Sequence, residues 1–401
     1  MRVAIVGNNV AGITTAKTLR DLDKDVEIAV YSEERYHYYA RPMLIEFIAG
    51  KIPEPEIFFN PPEWYDRNRI AVHLGAKVEK IDPANRRLLV RGTWHGYDAL
   101  VLATGARAFV PQIDGLPRRD VLTLRTLEDA KEIASRIPKT GAAAIIGGGL
   151  LGLETAGALN RAKPGMRVHV LERGGHPLQK QLDAEGGSVI MGMFREMGID
   201  VRTDTEVKAI ESHAAGLNVI LKDGRRLSAQ LAIISAGVRP NVELARDAGL
   251  RVGKGLVVDS ALCCTAERSI YAVGDVVEHD GKTYGIIPAA MDQARIVARR
   301  ILGLPTEEYS GTIPSNTLRV MGIDLTSVGT VVPQAPGYEE IRATSQDKKL
   351  YKKYILKGGK LAGAILLGTK KGAGLVQRMV KEGADVSAQR EKLSDVNYDL
   401  S

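Results

Sequence analysis

The chain has 401 residues, 44% hydrophobic and 26% charged. That is the balance of a globular protein with a real core, and the length suits two or three domains. Its only two cysteines, Cys263 and Cys264, are adjacent, which excludes a disulfide framework and points to a reducing compartment. The net charge is +7, and residues 342–401 alone carry 13 basic and 6 acidic side chains, so the rest of the chain balances. The longest mostly apolar stretch, Gly141 to Leu153, is broken by glycines and falls short of a membrane span. The apolar run after Met1 is too short for a secretory signal. A cytoplasmic location without a membrane span is expected.

The chain opens with a predicted strand, Arg2 to Val6, a turn Gly7-Asn8-Asn9-Val10-Ala11-Gly12, and a helix reaching about Asp21. A second strand, Val26 to Tyr31, ends in Ser32-Glu33-Glu34. This βαβ pattern sets a pyrophosphate on a helix N-terminus, where free N–H groups and the helix dipole favour negative charge. An acid at the end of the second strand accepts from ribose hydroxyls, and Glu33 follows Gly12 by 21 residues, the expected spacing. Asn9 stands where the fingerprint has its middle glycine; asparagine tolerates left-handed backbone better than most residues.

The plan recurs. Ala142 to Ile146 is a predicted strand, and Gly147-Gly148-Gly149-Leu150-Leu151-Gly152 is a full G-x-G-x-x-G. The helix reaches about Asn160, and the strand Arg167 to Leu171 ends at Glu172, 20 residues after Gly152. Glu172 favours NADH over NADPH, because a carboxylate accepts from a 2′-hydroxyl and repels a 2′-phosphate. Two dinucleotide sites imply two dinucleotides. A held flavin paired with an exchanged nicotinamide is the common solution, since hydride passes directly between stacked rings.

Further strands end in Ala103-Thr104-Gly105, in Ser235-Ala236-Gly237, and in Gly274-Asp275. In that order these motifs resemble the pyridine nucleotide–disulfide oxidoreductases, flavoproteins with two dinucleotide folds. Three more segments, Tyr38 to Gly50, Leu124 to Ala130 and Leu318 to Leu325, are similar to the NADH:rubredoxin reductases and to the flavin domain of assimilatory nitrite reductases. The resemblance implies FAD and NADH as cofactors, NADPH less so. It implies FAD contacts at Gly7, Asn9, Val10, Ala11, Gly12, Glu33, Glu34, Arg41, Pro42, Val78, Ala103, Thr104, Gly105, Arg125, Gly274 and Asp275. Pro288 and Ala289 are expected at a helix N-terminus aimed at the flavin pyrimidine ring. Gly147, Gly149, Leu150, Leu151, Gly152, Glu172, Ala236 and Gly237 are expected around the nicotinamide dinucleotide.

The disulfide reductases of that family carry a C-x4-C pair beside the flavin, and the NADH oxidases and peroxidases a single cysteine where this chain reads Arg41-Pro42-Met43-Leu44. Residues 1–262 contain no cysteine, so no thiolate relay is expected. Cys263 and Cys264 read as buried small residues, and no metal site is expected. Similar ferredoxin reductases place a lysine at the position of Glu46, paired with a glutamate matching Glu154. Here both are acids, and repulsion would raise one pKa. These two are the candidate proton carriers during flavin reoxidation.

The expected fold class is α/β: two Rossmann-like domains, the NAD domain inserted in the FAD domain, and a small C-terminal α+β domain. The FAD domain spans 1–113 and 243–310, the NAD domain 114–242, and the interface domain 311–401. Pro111, Gly115 and Pro117 mark the first crossing. In the last domain, Tyr351 to Leu356 and Leu361 to Leu367 read as a hairpin, and Gly374 to Glu382 as a helix. Its basic surface, including Lys348, Lys349, Lys352 and Lys353, suits an acidic rubredoxin or ferredoxin, a partner subunit or a homodimer contact; nucleic acid is not expected. The leading function is an NADH-dependent reductase of a one-electron carrier. The alternatives are the electron-entry subunit of a larger oxidoreductase, an oxidase using oxygen, and a non-turnover flavin scaffold or sensor.

Overall fold

A computed structural model describes residues 1–116 and 121–400; Pro117 lies outside the described residues. The chain divides into two compact units. The first comprises Met1–Met43, Ile52–Arg107 and Val238–Thr312, and the second Leu44–Lys51, Ala108–Gly237 and Ile313–Ser401.

Apolar strands dictate the first unit. The runs Arg2–Val6, Glu27–Tyr31, Ile70–His73, Ala99–Leu102 and Ile270–Ala272 are mostly aliphatic, and all but the edge strand Ile70–His73 are largely buried, as strands covered on both faces must be. They form one parallel sheet in the order Ile270–Ala272, Ala99–Leu102, Arg2–Val6, Glu27–Tyr31, Ile70–His73. The helices Val10–Leu22 and Ile287–Ile301 pack against each other. A three-stranded antiparallel sheet, Val78–Asp82, Arg87–Val90 and Thr93–Gly96, shares the same core.

The second unit repeats the plan. Its parallel sheet runs Asp200–Arg202, Arg167–Leu171, Ala142–Ile146, Leu231–Ile234, Val121–Thr123. Register is exchanged one for one between Ala142–Ile146 and Arg167–Leu171, so both strands end at one level and feed the glycine turn and Glu172 to the same edge. In open parallel sheets this carboxyl end is where ligands bind.

The last part of the chain forms a five-stranded antiparallel sheet with the helix Ala373–Glu382 on one face. The hairpin pairs Tyr351–Lys357 with Lys360–Leu367. Its tip, Gly358-Gly359, has positive φ at both residues (56° and 77°), as a two-residue turn between twisted strands requires. The strand Tyr351–Lys357 is buried along nearly its whole length, which corrects the reading of its lysines as a docking surface. Lys352 and Lys353 are 2% and 1% exposed. Lys352 Nζ donates to the carbonyl of Tyr398 and to Asp399, both at 2.8 Å. Lys353 Nζ pairs with Asp183 at 2.9 Å and Glu340 at 3.1 Å. A buried ammonium must have such partners, and neither lysine is available to a carrier.

Among the described residues no helix is long and apolar enough to cross a membrane, and no group of acidic, histidine and cysteine side chains is arranged to hold a metal ion.

Candidate dinucleotide-binding sites

In the first unit the backbone passes through a space with no room for a side chain. Gly7 has φ +118°, and a Cβ there would stand 2.1 Å from the carbonyl oxygen of Ala103. A Cβ on Gly12 would stand 1.9 Å from the carbonyl oxygen of Gly7. Gly274, at φ +84°, brings the Gly-Asp strand end against Ala11, where an added Cβ would be 2.8 Å from the alanine methyl. The glycine turn, the Ala-Thr-Gly strand end and the Gly-Asp strand end therefore meet at one place.

Asn9 acts differently from its sequence expectation. Its backbone is extended (φ −115°), not left-handed. It is the N-cap of the helix Val10–Leu22: Oδ1 accepts from the N–H groups of Ala11 (3.1 Å) and Gly12 (3.3 Å), and Nδ2 donates to the carbonyl of Ala103 at 2.5 Å. A side-chain oxygen at this place satisfies donors that the helix itself leaves open.

The neighbouring Asn8 accepts from the Tyr65 hydroxyl at 3.1 Å, while its buried Nδ2 has no partner among the described residues. An orphaned donor beside a glycine cradle is what an acceptor-rich ligand would satisfy. Glycines whose Cβ positions are blocked, an aligned helix N-terminus and this donor fit a dinucleotide pyrophosphate.

The other expected FAD contacts are distributed around the cradle's unit. Glu33 is exposed and pairs with Lys77 at 2.9 Å. Glu34 accepts from the Tyr39 hydroxyl and pairs with Arg41 at 3.3 Å. Pro42 is exposed and Val78 buried. Thr104 donates from Oγ1 to the carbonyl of Asn241 (2.8 Å), and Asn241 returns a bond to the carbonyl of Thr104 (2.9 Å), locking the turn at Gly105 (φ +64°). Asp275 is half-buried in the short turn after Gly274, whose N–H donates to Gln293 Oε1 at 2.7 Å. Pro288 opens the helix Ile287–Ile301, and Ala289 is buried in its first turn. Asn241 went unrecognised as a support because its partner Thr104 lies 137 residues away, and Gln293 because nothing in a helix sequence announces which N–H a buried glutamine accepts from.

The second unit holds the second cradle. Gly147 has φ +119°, with a would-be Cβ 2.2 Å from the carbonyl oxygen of Ser235, and Gly152 repeats the close approach at 2.1 Å from Gly147. Gly149 is the N-cap of the helix Leu150–Ala162 and, unlike Asn9, supplies no side-chain cap. Nothing stands within 4 Å of its Cβ position, so this N-terminus has open space and open donors. Leu150 is half-buried and Leu151 exposed beside it. Ala236 and Gly237 (φ +99°) are exposed at the end of the neighbouring strand.

Glu172 accepts from the N–H of Gly148 and of Gly174, each at 2.7 Å, which fixes a carboxylate beside the cradle. Gly148, unremarked as a site residue, is small of necessity: a Cβ there would lie 2.9 Å from that of Glu172.

Arg125 and Glu46 both fall in the second unit. The Arg125 N–H donates to Asp129, at the entry to the helix Leu127–Arg136. Glu46, on the helix Met43–Ile48, pairs with Lys51 at 2.9 Å. Glu154, one turn into the second glycine helix, accepts from the N–H of Met321 at 3.2 Å. Burial pushes its carboxyl pKa up, more than the Met321 N–H and Arg161 pull it down, and Glu46 adds repulsion. The expected repulsion is present but secondary to desolvation. Cys263 is buried, its thiol 3.1 Å from the carbonyl of Thr265, and burial raises the pKa of both cysteines, so neither is an activated thiolate.

Two outcomes follow. Gly7→Ala and Gly147→Ala each force a methyl onto a carbonyl at positive φ. Gly7→Ala is expected to abolish flavin retention, and Gly147→Ala to leave flavin content intact while weakening NADH binding at least about tenfold; absorbance and NADH titration distinguish them. Glu154 has a folded pKa above its unfolded value, so its contribution to stability is present at low pH and lost as pH rises through the folded pKa. Glu154→Gln keeps an acceptor for Met321 without the charge. The variant's unfolding free energy relative to the parent is therefore expected to climb between acidic and neutral pH, as read by urea titrations.

Residues 1–294 match the family model described as pyridine nucleotide-disulphide oxidoreductase, and residues 314–384 the rubredoxin NAD+ reductase C-terminal domain. The chain is 32% identical to the assimilatory nitrate reductase electron transfer subunit of Bacillus subtilis (strain 168), over 98% of this chain and 51% of that protein. It thus spans about half the length of that relative. It is 30% identical to the benzene 1,2-dioxygenase system ferredoxin–NAD(+) reductase subunit of Pseudomonas putida, over 99% of this chain and 96% of that one. Its fold superimposes on putidaredoxin reductase in a covalent complex with putidaredoxin, with a TM-score of 0.88, 27% identity, and coverage of 98% and 95% of the two chains. The chain belongs to the pyridine nucleotide–disulphide oxidoreductase family.

Proposed function

We propose that this protein is an FAD-dependent NADH oxidoreductase that delivers electrons to a small one-electron carrier of the rubredoxin or ferredoxin kind. Bound FAD would supply the change from two-electron acceptance to one-electron release. The single observation that carries the reading is the pair of glycine cradles, each closed to any side chain by a carbonyl about 2 Å from the Cβ position.

The roles divide by unit. Gly7, Val10, Ala11 and Gly12 approach the FAD pyrophosphate, with Asn8 Nδ2 as a further donor, and Asn9 holds the turn to Ala103. Glu33 or Glu34 takes the ribose, and Thr104, Gly105, Gly274, Asp275, Pro288 and Ala289 complete the flavin's surroundings. In the other unit Gly147, Gly149, Leu150, Leu151 and Gly152 leave helix N–H groups open to an exchangeable anion. Glu172, oriented by two backbone donors, accepts from the adenosine ribose and repels a 2′-phosphate. Glu154, protonated more readily than an exposed carboxylate, holds a proton for release on reoxidation. The domain division 1–113 with 243–310, 114–242 and 311–401 belongs to the same proposal.

The acceptor class is supported by the match of residues 314–384 to the rubredoxin reductase C-terminal domain and by the ferredoxin reductase relative. A second reading, an electron-entry module of a larger oxidoreductase, is favoured by the half-length match to the nitrate reductase subunit.

Steady-state reduction of rubredoxin, ferredoxin and ferricyanide separates these. A carrier reductase reduces at least one carrier with NADH far better than with NADPH, and the double variant Cys263→Ala, Cys264→Ala keeps full activity. Ferricyanide reduction with no carrier turnover favours the module. Loss of activity in the cysteine variant, with flavin retained, overturns electron exit without sulfur.

A further inference from the structure

A cavity of about 460 Å3 opens in the first unit, where the ends of Glu27–Tyr31 and Ile70–His73 meet the antiparallel strands Arg87–Val90 and Thr93–Gly96; the carbonyl of Tyr31, one of its lining residues, accepts from the Gly7 N–H at 2.8 Å. Tyr31 and His73 are register partners, and their rings stack at 4.8 Å and 15°. The His95 ring stands 5.8 Å from that of Tyr31. Arg91, at the turn between the two antiparallel strands, donates from Nη2 to the carbonyls of Leu74 (3.2 Å) and Gly75 (3.1 Å). Those two bonds fix the guanidinium beside the cavity, and its Nε and Nη1 have no protein acceptor among the described residues.

No carboxylate lines the cavity among the described residues. The acids of the adjoining segment are engaged elsewhere, Glu33 with Lys77 and Glu34 with Tyr39 and Arg41. A solvent-exposed basic face accounts for scattered lysines. Here His73, Arg91 and Thr93 are solvent-exposed and His95 half-buried, and what sets this open concavity apart is that two histidines and an anchored arginine converge on it with no carboxylate in the lining. Such a set is poised to donate to an acceptor-only ligand, and arginine held by backbone carbonyls loses little freedom on binding.

We propose that this cavity is a binding site for a small oxyanion, held by Arg91, His73 and His95 with the Thr93 hydroxyl at its rim. Neither dinucleotide cradle uses these four residues. Binding strengthens as pH falls, because a protonated His73 imidazole adds a charge and a donor. Burial, and then His95 and Arg91, hold His73 below the ordinary histidine range. Arg91 provides the site's standing attraction at every pH in the range.

The test is calorimetric titration of the flavin-loaded chain with sulfate, a dianion throughout the range, at constant ionic strength. Saturable binding is expected at pH about 5.5, weakened about tenfold at pH about 8. His73→Asn and His95→Asn should each weaken it by a similar factor while flavin content and unfolding midpoint stay unchanged. Absence of saturable binding, affinity independent of pH, or undiminished affinity in both variants would overturn the site. Binding that appears only in the flavin-free chain would also overturn it, since the anion would then be occupying the cofactor's cradle.

Discussion

The architecture depends on one steric constraint, a strand-to-helix turn running within contact of a neighbouring strand's last carbonyl. At Gly7 the neighbour is Ala103, and at Gly147 it is Ser235, with Cβ positions 2.1 and 2.2 Å from the oxygen. Each turn is closed by a second glycine, Gly12 or Gly152, packing back on the first at 1.9 and 2.1 Å. The parallel sheets bring the strand ends to one edge, and the glycines let a helix begin there, its first N–H groups capped by Asn9 in the first unit and uncapped by any side chain at Gly149 in the second. No other residue type permits that approach, and the space it leaves at each helix N-terminus is of the kind a diphosphate fits.

The two cradles are alike in backbone and different in chemistry. Asn9 fills the first helix N-terminus with its own side chain and ties it to Ala103, whereas Gly149 leaves the second bare. A turn braced in this way suits a ligand that stays, and an open one suits a ligand that comes and goes. The acids follow the same division. Glu33 and Glu34 are joined to cations and a tyrosine, while Glu172 is oriented by the backbone N–H groups of Gly148 and Gly174.

Much of the frame was legible because its signals are local. Apolar runs, glycine triplets and a terminal acid at fixed spacing lie within about thirty residues of one another in a βαβ unit, and Ala142–Ile146 and Arg167–Leu171 form where the pattern puts them. The double-glycine hairpin tip was equally plain. What escaped depends on partners remote in the chain. Lys352 and Lys353 look like solvated charges on a strand, but both faces of that strand are covered, by Asp399 on one side and Asp183 with Glu340 on the other. The cap role of Asn9 and the Met321 partner of Glu154 were hidden for related reasons. A fingerprint says which residue type is missing without saying what its replacement bonds to, and a contact spanning 167 residues leaves no periodic trace.

The central claim is that two cradles on one chain bring a held flavin and a visiting nicotinamide into a single redox couple. Anaerobic titration of the purified, FAD-loaded chain with NADH, followed by flavin absorbance, tests it most directly. Stoichiometric retention of FAD and complete, rapid bleaching by an equimolar amount of NADH are predicted. A chain that retains no flavin, or one whose oxidised spectrum persists in excess NADH, would contradict it.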